Sequence, residues 1–170
     1  VLFFNMLNYV NKVNAADQAV KTCRINVNAA ARNVREMALN PDKSTYDDYE
    51  QGAKEKLEDV DVQLKTIKKS GIVPENQYNE YSKALSDWAN IGYSIMDKIK
   101  AGQKDEAVDQ IINECTPKLN KTVELAKEIN KLTDERSHQA VVRTYVCAAV
   151  GLIVIIICLI CAWQLTKRTG

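Results

Sequence analysis

The stretch from Tyr145 to Leu165, YVCAAVGLIVIIICLICAWQL, most constrains the possible folds of this chain because it contains no charged residue. As a helix rising about 1.5 Å per residue, it is roughly 31 Å long, close to the thickness of a bilayer's hydrocarbon core. A domain of this size has little room to bury a helix that is apolar on every side. We therefore predict a membrane span at 145–165, with 166–170 beginning a cytoplasmic segment. The alternative is a core helix of a larger assembly.

Composition narrows the remaining residues to a helical domain of neutral charge. The 170-residue chain has 23 basic and 22 acidic residues, a net charge of +1, and only 3 prolines and 6 glycines. A nucleic-acid surface would need a strong basic excess, so we expect no nucleic-acid partner. Few helix breakers and many good helix formers predict long helices.

The first helix is predicted by a heptad pattern. Small apolar residues recur every seven positions, each followed three residues later by another, and this pattern continues for five heptads. The two series are Met6, Val13, Val20, Val27, Val34 and Tyr9, Ala16, Cys23, Ala30, Met37. Asn40-Pro41-Asp42 has turn chemistry and ends this helix. Residues 1–7, VLFFNML, look like the end of an earlier span, although an amphipathic turn remains an alternative.

Three further helices follow from their caps and apolar stripes. The second begins with Ser44 or Thr45 as its cap and ends at Ser70-Gly71. The third begins near Pro74 and ends at Ala101-Gly102. The fourth begins near Lys104 and runs without a stop signal into the span, with a bend expected at Pro117.

The predicted apolar seam of the fourth helix consists of Val108, Ile112, Cys115, Leu119, Thr122, Ala126, Ile129, Thr133 and Ala140. Short turns between four helices predict an all-α, up-down-up-down antiparallel bundle over residues 8–144, whose fourth helix continues as a transmembrane helix. Cys23 and Cys115 are expected at heights that differ by about 9 Å, too far apart for a disulfide.

Three segments resemble the four-helix-bundle sensor domain of bacterial methyl-accepting chemotaxis proteins, which also occurs on histidine kinases and diguanylate cyclases. The segments are RNVREMALNPD at 32–42, AGQKDEA at 101–107 and IINECTPKL at 111–119. The resemblance implies an extracytoplasmic sensor in the cell membrane, with a cytoplasmic C-terminus. It also implies a homodimer through helices 1 and 4, and a small-molecule ligand or a periplasmic binding protein as partner.

Candidate ligand-binding residues are Arg24, Asn28 and Arg32 on the first helix, and Thr116 on the fourth. An arginine can present two parallel N–H groups to a carboxylate, but an exposed helix-face cation is the plainer interpretation. Amino-acid-sensing relatives resemble Arg-Ile-Asn-x-Ser-Arg-x-x-x-Arg. This chain matches the first arginine at Arg24 and has Ala29 and Asn33 at the other two places.

Other chemistry receives little support. The chain has no HExxH, GxSxG or P-loop pattern, and its one histidine, His138, lies close to the predicted span. We expect no enzyme activity, no cofactor and no metal site. Tyr78, Tyr81 and Trp88 either line a pocket or pack the core.

A second hypothesis for the whole chain is a tail-anchored structural bundle similar to a SNARE, which would lie in the cytosol.

Overall fold

The computed structural model describes the backbone of residues 2–169 and the side chains of residues 4–164 and of Lys167. Val1, in the predicted end of a first span, and Gly170, in the predicted cytoplasmic segment, lie outside these residues. The helices are α1 (Leu2–Leu39), α2 (Tyr46–Ser70), α3 (Glu75–Lys100), α4 (Lys104–Gln110) and α5 (Thr116–Thr169). A π-helical segment, Ile111–Cys115, joins α4 to α5, so these three run on as one rod.

The rod and the other three helices form the predicted all-α four-helix bundle, with α1 packed against α2 and α5, and α3 packed against α5. The heptad prediction is confirmed between Val13 and Met37, where every predicted seam residue is buried. Towards the start of α1, Met6 is half-buried and Tyr9 is 39% exposed, so the seam does not extend there.

α1 and α2 pack closely because small residues line their interface. A Cβ atom placed on Gly52 would lie 2.7 Å from Asn33 Nδ2, so a larger residue at position 52 would require the Asn33 side chain to move. The buried face of α1 is built from alanine and valine over most of its length. Close approach of the backbones follows from these small side chains.

The turn between α1 and α2 corrects the predicted cap. Neither Ser44 nor Thr45 caps α2 with its side chain. Instead, Asp42 accepts hydrogen bonds from the Ser44 backbone N–H at 2.9 Å and the Ser44 hydroxyl at 2.7 Å, and so caps a short 3₁₀ turn, Lys43–Thr45. The Asp42 carboxylate is a better acceptor for the free backbone N–H groups than the hydroxyls of Ser44 and Thr45. The predicted end of α2 is confirmed, since Gly71 adopts a left-handed conformation with φ of 66°.

The predicted seam of the fourth helix is wrong before Cys115. Val108 and Ile112 are 37% and 62% exposed, whereas Ala107 and Gln110 are buried. The π-helical segment explains this difference, because a π turn contains one more residue than the α turn assumed in the prediction. From Cys115 to Ala140 the predicted seam residues are all buried.

Pro117 directly follows the π-helical segment. A proline inside a helix lacks one N–H donor, and its ring crowds the carbonyl of the preceding turn. In the π-helical segment before the proline, the Thr116 N–H bonds to Ile111 O, five residues earlier. The bend expected at Pro117 stays a prediction.

The continuous-rod prediction is confirmed over the described residues, because α5 continues as one helix through the apolar stretch. Lys104–Gln164 is long and apolar enough to cross a membrane. Side chains from Tyr145 to Gln164 are exposed and lie outside the bundle core. Such an apolar surface suits lipid rather than water. A lipid environment is possible because the helical backbone satisfies its own hydrogen bonds. The predicted boundaries at residues 7/8, 144/145 and 165/166 stay predictions.

Candidate functional site

Three of the four predicted ligand-binding residues share one face of α1. Arg24, Asn28 and Arg32 line a shallow depression of about 390 Å³ together with Ile25 and Ala29. Spacing of four residues places them on successive turns of one helix face. Asn28 donates a hydrogen bond from Nδ2 to the Arg24 carbonyl at 2.8 Å, which fixes its amide along the helix.

The charge of this depression is positive and unpaired. Within the described part of the chain, neither Arg24 nor Arg32 forms an ion pair. Ile25, between them, is 66% exposed. The α1 depression therefore offers two guanidinium groups beside an apolar contact.

Thr116 does not line the α1 depression. Its hydroxyl donates to Ile111 O at 2.8 Å and so satisfies a carbonyl of the π-helical segment. This is the alternative expected for a threonine hydroxyl inside a helix. Arg35 is the α1 arginine near this part of the fourth helix, since its charge acts on the neighbouring Cys115 thiol.

The aromatic residues of α3 pack the core. Tyr81 and Trp88 are each 1% exposed, and Tyr78 is half-buried with Lys68 Nζ 5.7 Å from its ring centre. Of the two interpretations left open by the sequence, core packing is confirmed for Tyr81 and Trp88.

Sequence reasoning missed a polar groove between α2 and α3. It has a volume of about 340 Å³ and an apolar floor that includes Leu57 and Leu85. Its polar lining is Asp61, Ser82, Ser86, Asn90 and Tyr93. The available signal was the series of small polar residues on α3 at intervals of four, which marks one helix face without large side chains.

The two cysteines inside the bundle are unreactive. Both are free and buried, and the Cys23 Sγ lies 3.8 Å from Val60 O as a hydrogen-bond donor. Burial raises the pKa of Cys23 to about 12 and also raises the pKa of Cys115. Neither thiol is ionised near neutral pH, so neither supplies a nucleophile. The described residues hold no cluster of ligands suited to a metal ion.

A buried polar node joins α1 to α5. Asp17 Oδ1 lies 2.9 Å from both Asn130 Nδ2 and the Thr133 hydroxyl, and Oδ2 accepts from Lys21 Nζ at 2.6 Å. Burial by itself would raise the pKa of Asp17, but the hydrogen bonds from Lys21, Thr133 and Asn130 outweigh it and lower that pKa. The node links α1 to α5 through two side-chain hydrogen bonds.

These features define a class of protein: a four-helix bundle whose last helix continues without a break into an apolar helix compatible with lipid. Comparison with known families is consistent with this class. Residues 9–144 match the four helix bundle sensory module for signal transduction, which covers most of the chain. The chain belongs to this family. No curated protein and no solved structure matches it.

Proposed function

We propose that this chain is the extracytoplasmic sensor bundle and second span of a bacterial transmembrane receptor, with a chemotaxis receptor of the methyl-accepting type as the favoured kind. A sensor histidine kinase or a diguanylate cyclase with the same module would use the bundle in the same way. The observation that carries the proposal is the unbroken α5, which passes from the bundle core into the apolar stretch. The bundle acts by binding and movement, without catalysis, a cofactor or nucleic acid.

Signal transmission by this chain requires a stiff connection. From Thr116 to Tyr145, α5 covers roughly 44 Å at about 1.5 Å per residue. A small displacement of α5 along its axis at the bundle is delivered to the span with little loss, because the helix contains no flexible linker. Ligand binding need only favour one of two positions of α5 against α1.

The α1 depression is the proposed ligand-binding surface. Two unpaired arginines favour a carboxylate or another small anion, because guanidinium groups bind such anions through paired hydrogen bonds. A periplasmic binding protein carrying such a group is the alternative partner.

A homodimer through α1 and the fourth helix would cover the exposed Ile25. The nearby positions Gln18, Thr22, Asn28 and Ala29 are uncharged, while Arg24 and Arg32 flank them. The uncharged positions around the exposed isoleucine lose little on desolvation, so they suit contact with a second copy.

The dimer is tested by crosslinking in membranes. Cysteines would be introduced at Thr22, Ile25 or Ala29 after replacement of the native cysteines, with Val62→Cys on α2 as the matched exposed control. We expect disulfide dimers that form more readily at the α1 positions than at position 62. Equal crosslinking at all four positions would contradict the dimer.

Ligand binding is tested by thermal unfolding of the full chain in nanodiscs with succinate and other small carboxylates. A ligand at about 100 times its Kd stabilises a protein by about 2.7 kcal/mol. We expect Arg24→Gln to abolish the shift and Lys65→Gln, an exposed control on α2, to retain it. An unchanged shift in Arg24→Gln would remove the α1 depression as the site.

Topology is tested by adding protease to intact cells. An extracytoplasmic bundle is cut from outside, whereas the tail-anchored cytosolic bundle is protected until the membrane is opened. Protection in intact cells would overturn the proposed placement.

A further inference from the structure

A second pocket lies where the bundle meets the apolar stretch. It has a volume of about 310 Å³ and lies between the start of α1 and the part of α5 that precedes the span. The residues important for its chemistry are Met6 and Tyr9 of α1, and Arg136, Gln139 and Arg143 of α5. Their spacing on α5 places the three polar side chains on one helix face, because positions four and seven apart align. We call it the juxtamembrane pocket.

The side chains that line the juxtamembrane pocket include two arginines and no carboxylate. All 22 acidic residues of the chain lie between Asp17 and Glu135, so none precedes residue 17 and none follows residue 135. Lys12, Arg136 and Arg143 lie in these acid-free stretches of the sequence, and Asp134 and Glu135 directly precede Arg136. The pocket therefore favours an anion, because neither of these carboxylates lines it.

The two arginines keep most of their donors available. Arg136 Nη1 donates to Ile72 O, which orients its guanidinium group and leaves four of its five N–H groups for other acceptors. Arg143 is exposed, and no other described residue accepts a hydrogen bond from it or forms an ion pair with it. Oriented, unpaired guanidinium groups match the oxygen atoms of a phosphate.

The position of the pocket identifies the source of the phosphate. Arg143 lies two residues before Tyr145, about 3 Å along the helix axis, and Arg136 lies roughly 14 Å before it. The polar layer on each side of a bilayer is about 5–8 Å thick, so Arg143 lies at headgroup height. Met6, Tyr9 and Ala140 give the pocket an apolar wall that a free phosphate would not use. Tyrosine at this height is typical of a membrane interface.

We propose that the juxtamembrane pocket binds the phosphate of an anionic phospholipid from the leaflet facing the bundle. Arg143 holds the phosphate oxygens, and the glycerol and upper acyl carbons lie against Met6 and Tyr9. Arg136, roughly 10 Å further from the apolar stretch along α5, adds positive charge above the phosphate. The lipid bridges α1 and α5, the two helices proposed to move relative to each other. This inference depends on residues 145–165 crossing a bilayer, and it does not depend on which ligand the α1 depression binds.

The test uses the full chain in nanodiscs of phosphatidylcholine with or without phosphatidylglycerol, and native mass spectrometry counts the lipids that remain bound. We expect phosphatidylglycerol to be retained over phosphatidylcholine by about tenfold, a preference that Arg143→Gln removes and Arg143→Lys reduces. Lys131→Gln, an exposed cation on α5 outside the pocket, is the matched control and should keep the full preference.

Each outcome decides the proposal. Equal retention of the two lipids by the wild-type chain, or an undiminished preference in Arg143→Gln with native helix content, would overturn it. Inorganic phosphate is added in a separate arm with phosphatidylcholine alone. If phosphate raises the thermal midpoint of the wild type but not of Arg143→Gln, while phosphatidylglycerol is not preferred, the pocket is a free-anion site and the lipid assignment is wrong. Protease protection of the span measures whether the helix is inserted in the bilayer. It therefore distinguishes a wrong lipid assignment from a wrong membrane placement.

Discussion

The two ends of the bundle are held together by different forces. A large apolar core fills the middle of the bundle and the end far from the apolar stretch, and Trp88, Met37, Ile95, Met96 and Ile99 within it are all at most 1% exposed. The span-proximal end has a small cluster of Val13, Ala16 and Ile72, beside the polar node around Asp17. Apolar burial is not directional and scales with area, whereas hydrogen bonds depend on alignment. The comparison teaches that apolar burial dominates most of the bundle, whereas alignment-dependent hydrogen bonds are concentrated near the apolar stretch.

The far end is also closed by specific contacts. Lys104 Nζ donates to Asn40 O at 2.8 Å and lies 5.4 Å from the centre of the Tyr46 ring, while the Tyr46 hydroxyl donates to the same carbonyl at 3.1 Å. The start of the fourth helix is therefore attached to the end of α1. Movement of α5 against α1 is easier to accommodate at the span-proximal end, where a few hydrogen bonds would need to exchange.

The largest expected effect comes from removing bulk from the large apolar core. Trp88→Ala should lower the free energy of unfolding by about 3–5 kcal/mol, because the substitution leaves a cavity in a closely packed core. Thermal unfolding of the full chain in nanodiscs measures the change. Val62→Ala, at a position that is 53% exposed, should change it by less than about 0.5 kcal/mol. A small loss in Trp88→Ala would show that the core does not dominate stability.

A smaller effect is expected in the polar node. Thr133→Val keeps the shape of the side chain and removes the hydroxyl that bonds to Asp17, at an expected cost of about 1–2 kcal/mol. Thr122→Val is the matched control, since Thr122 is also buried on α5 but its hydroxyl donates to Leu119 O of its own helix at 2.7 Å. In a functional receptor, only Thr133→Val should also shift the signalling output. Identical behaviour of the two variants would mean that the node does not set the register.

Acid should weaken the span-proximal end selectively. Because folding lowers the pKa of Asp17 below its usual value of 3.8, its contribution to stability is present above that value and is lost as the pH falls through the folded-state pKa. The stability difference between wild type and Asp17→Asn should therefore be largest near pH 7 and narrow below about pH 4. Unfolding midpoints measured at several pH values test this, and a difference that grows in acid would contradict it.

The smallest effect concerns accessibility rather than stability. Cysteines introduced at Ala107 and Ile112 should differ in their rate of reaction with a maleimide, because Ala107 is buried and Ile112 is 62% exposed. Slow labelling at position 112 and fast labelling at position 107 would restore the original seam and remove the π-helical segment.

Much of the fold followed from patterns that depend only on neighbouring residues. The heptad from Val13 to Met37, the breaks at Asn40-Pro41-Asp42 and Gly71, and the long apolar run at 145–165 predicted the helices and their ends. Three of the predicted site residues, Arg24, Asn28 and Arg32, came together because a single helix places residues four apart on one face. Such properties are local, so the sequence expresses them directly.

Tertiary structure decided what local patterns leave open. One extra residue in the π-helical segment turned Val108 and Ile112 outward, since register beyond a π turn depends on how the rod packs. The Asp17 node and the juxtamembrane pocket join residues more than 100 positions apart, and the groove between α2 and α3 exists because those helices separate. The sequence by itself determined four helices and an apolar extension of the fourth. Which polar side chains meet between helices was decided only by packing, because periodicity along one helix carries no information about the height of its neighbour.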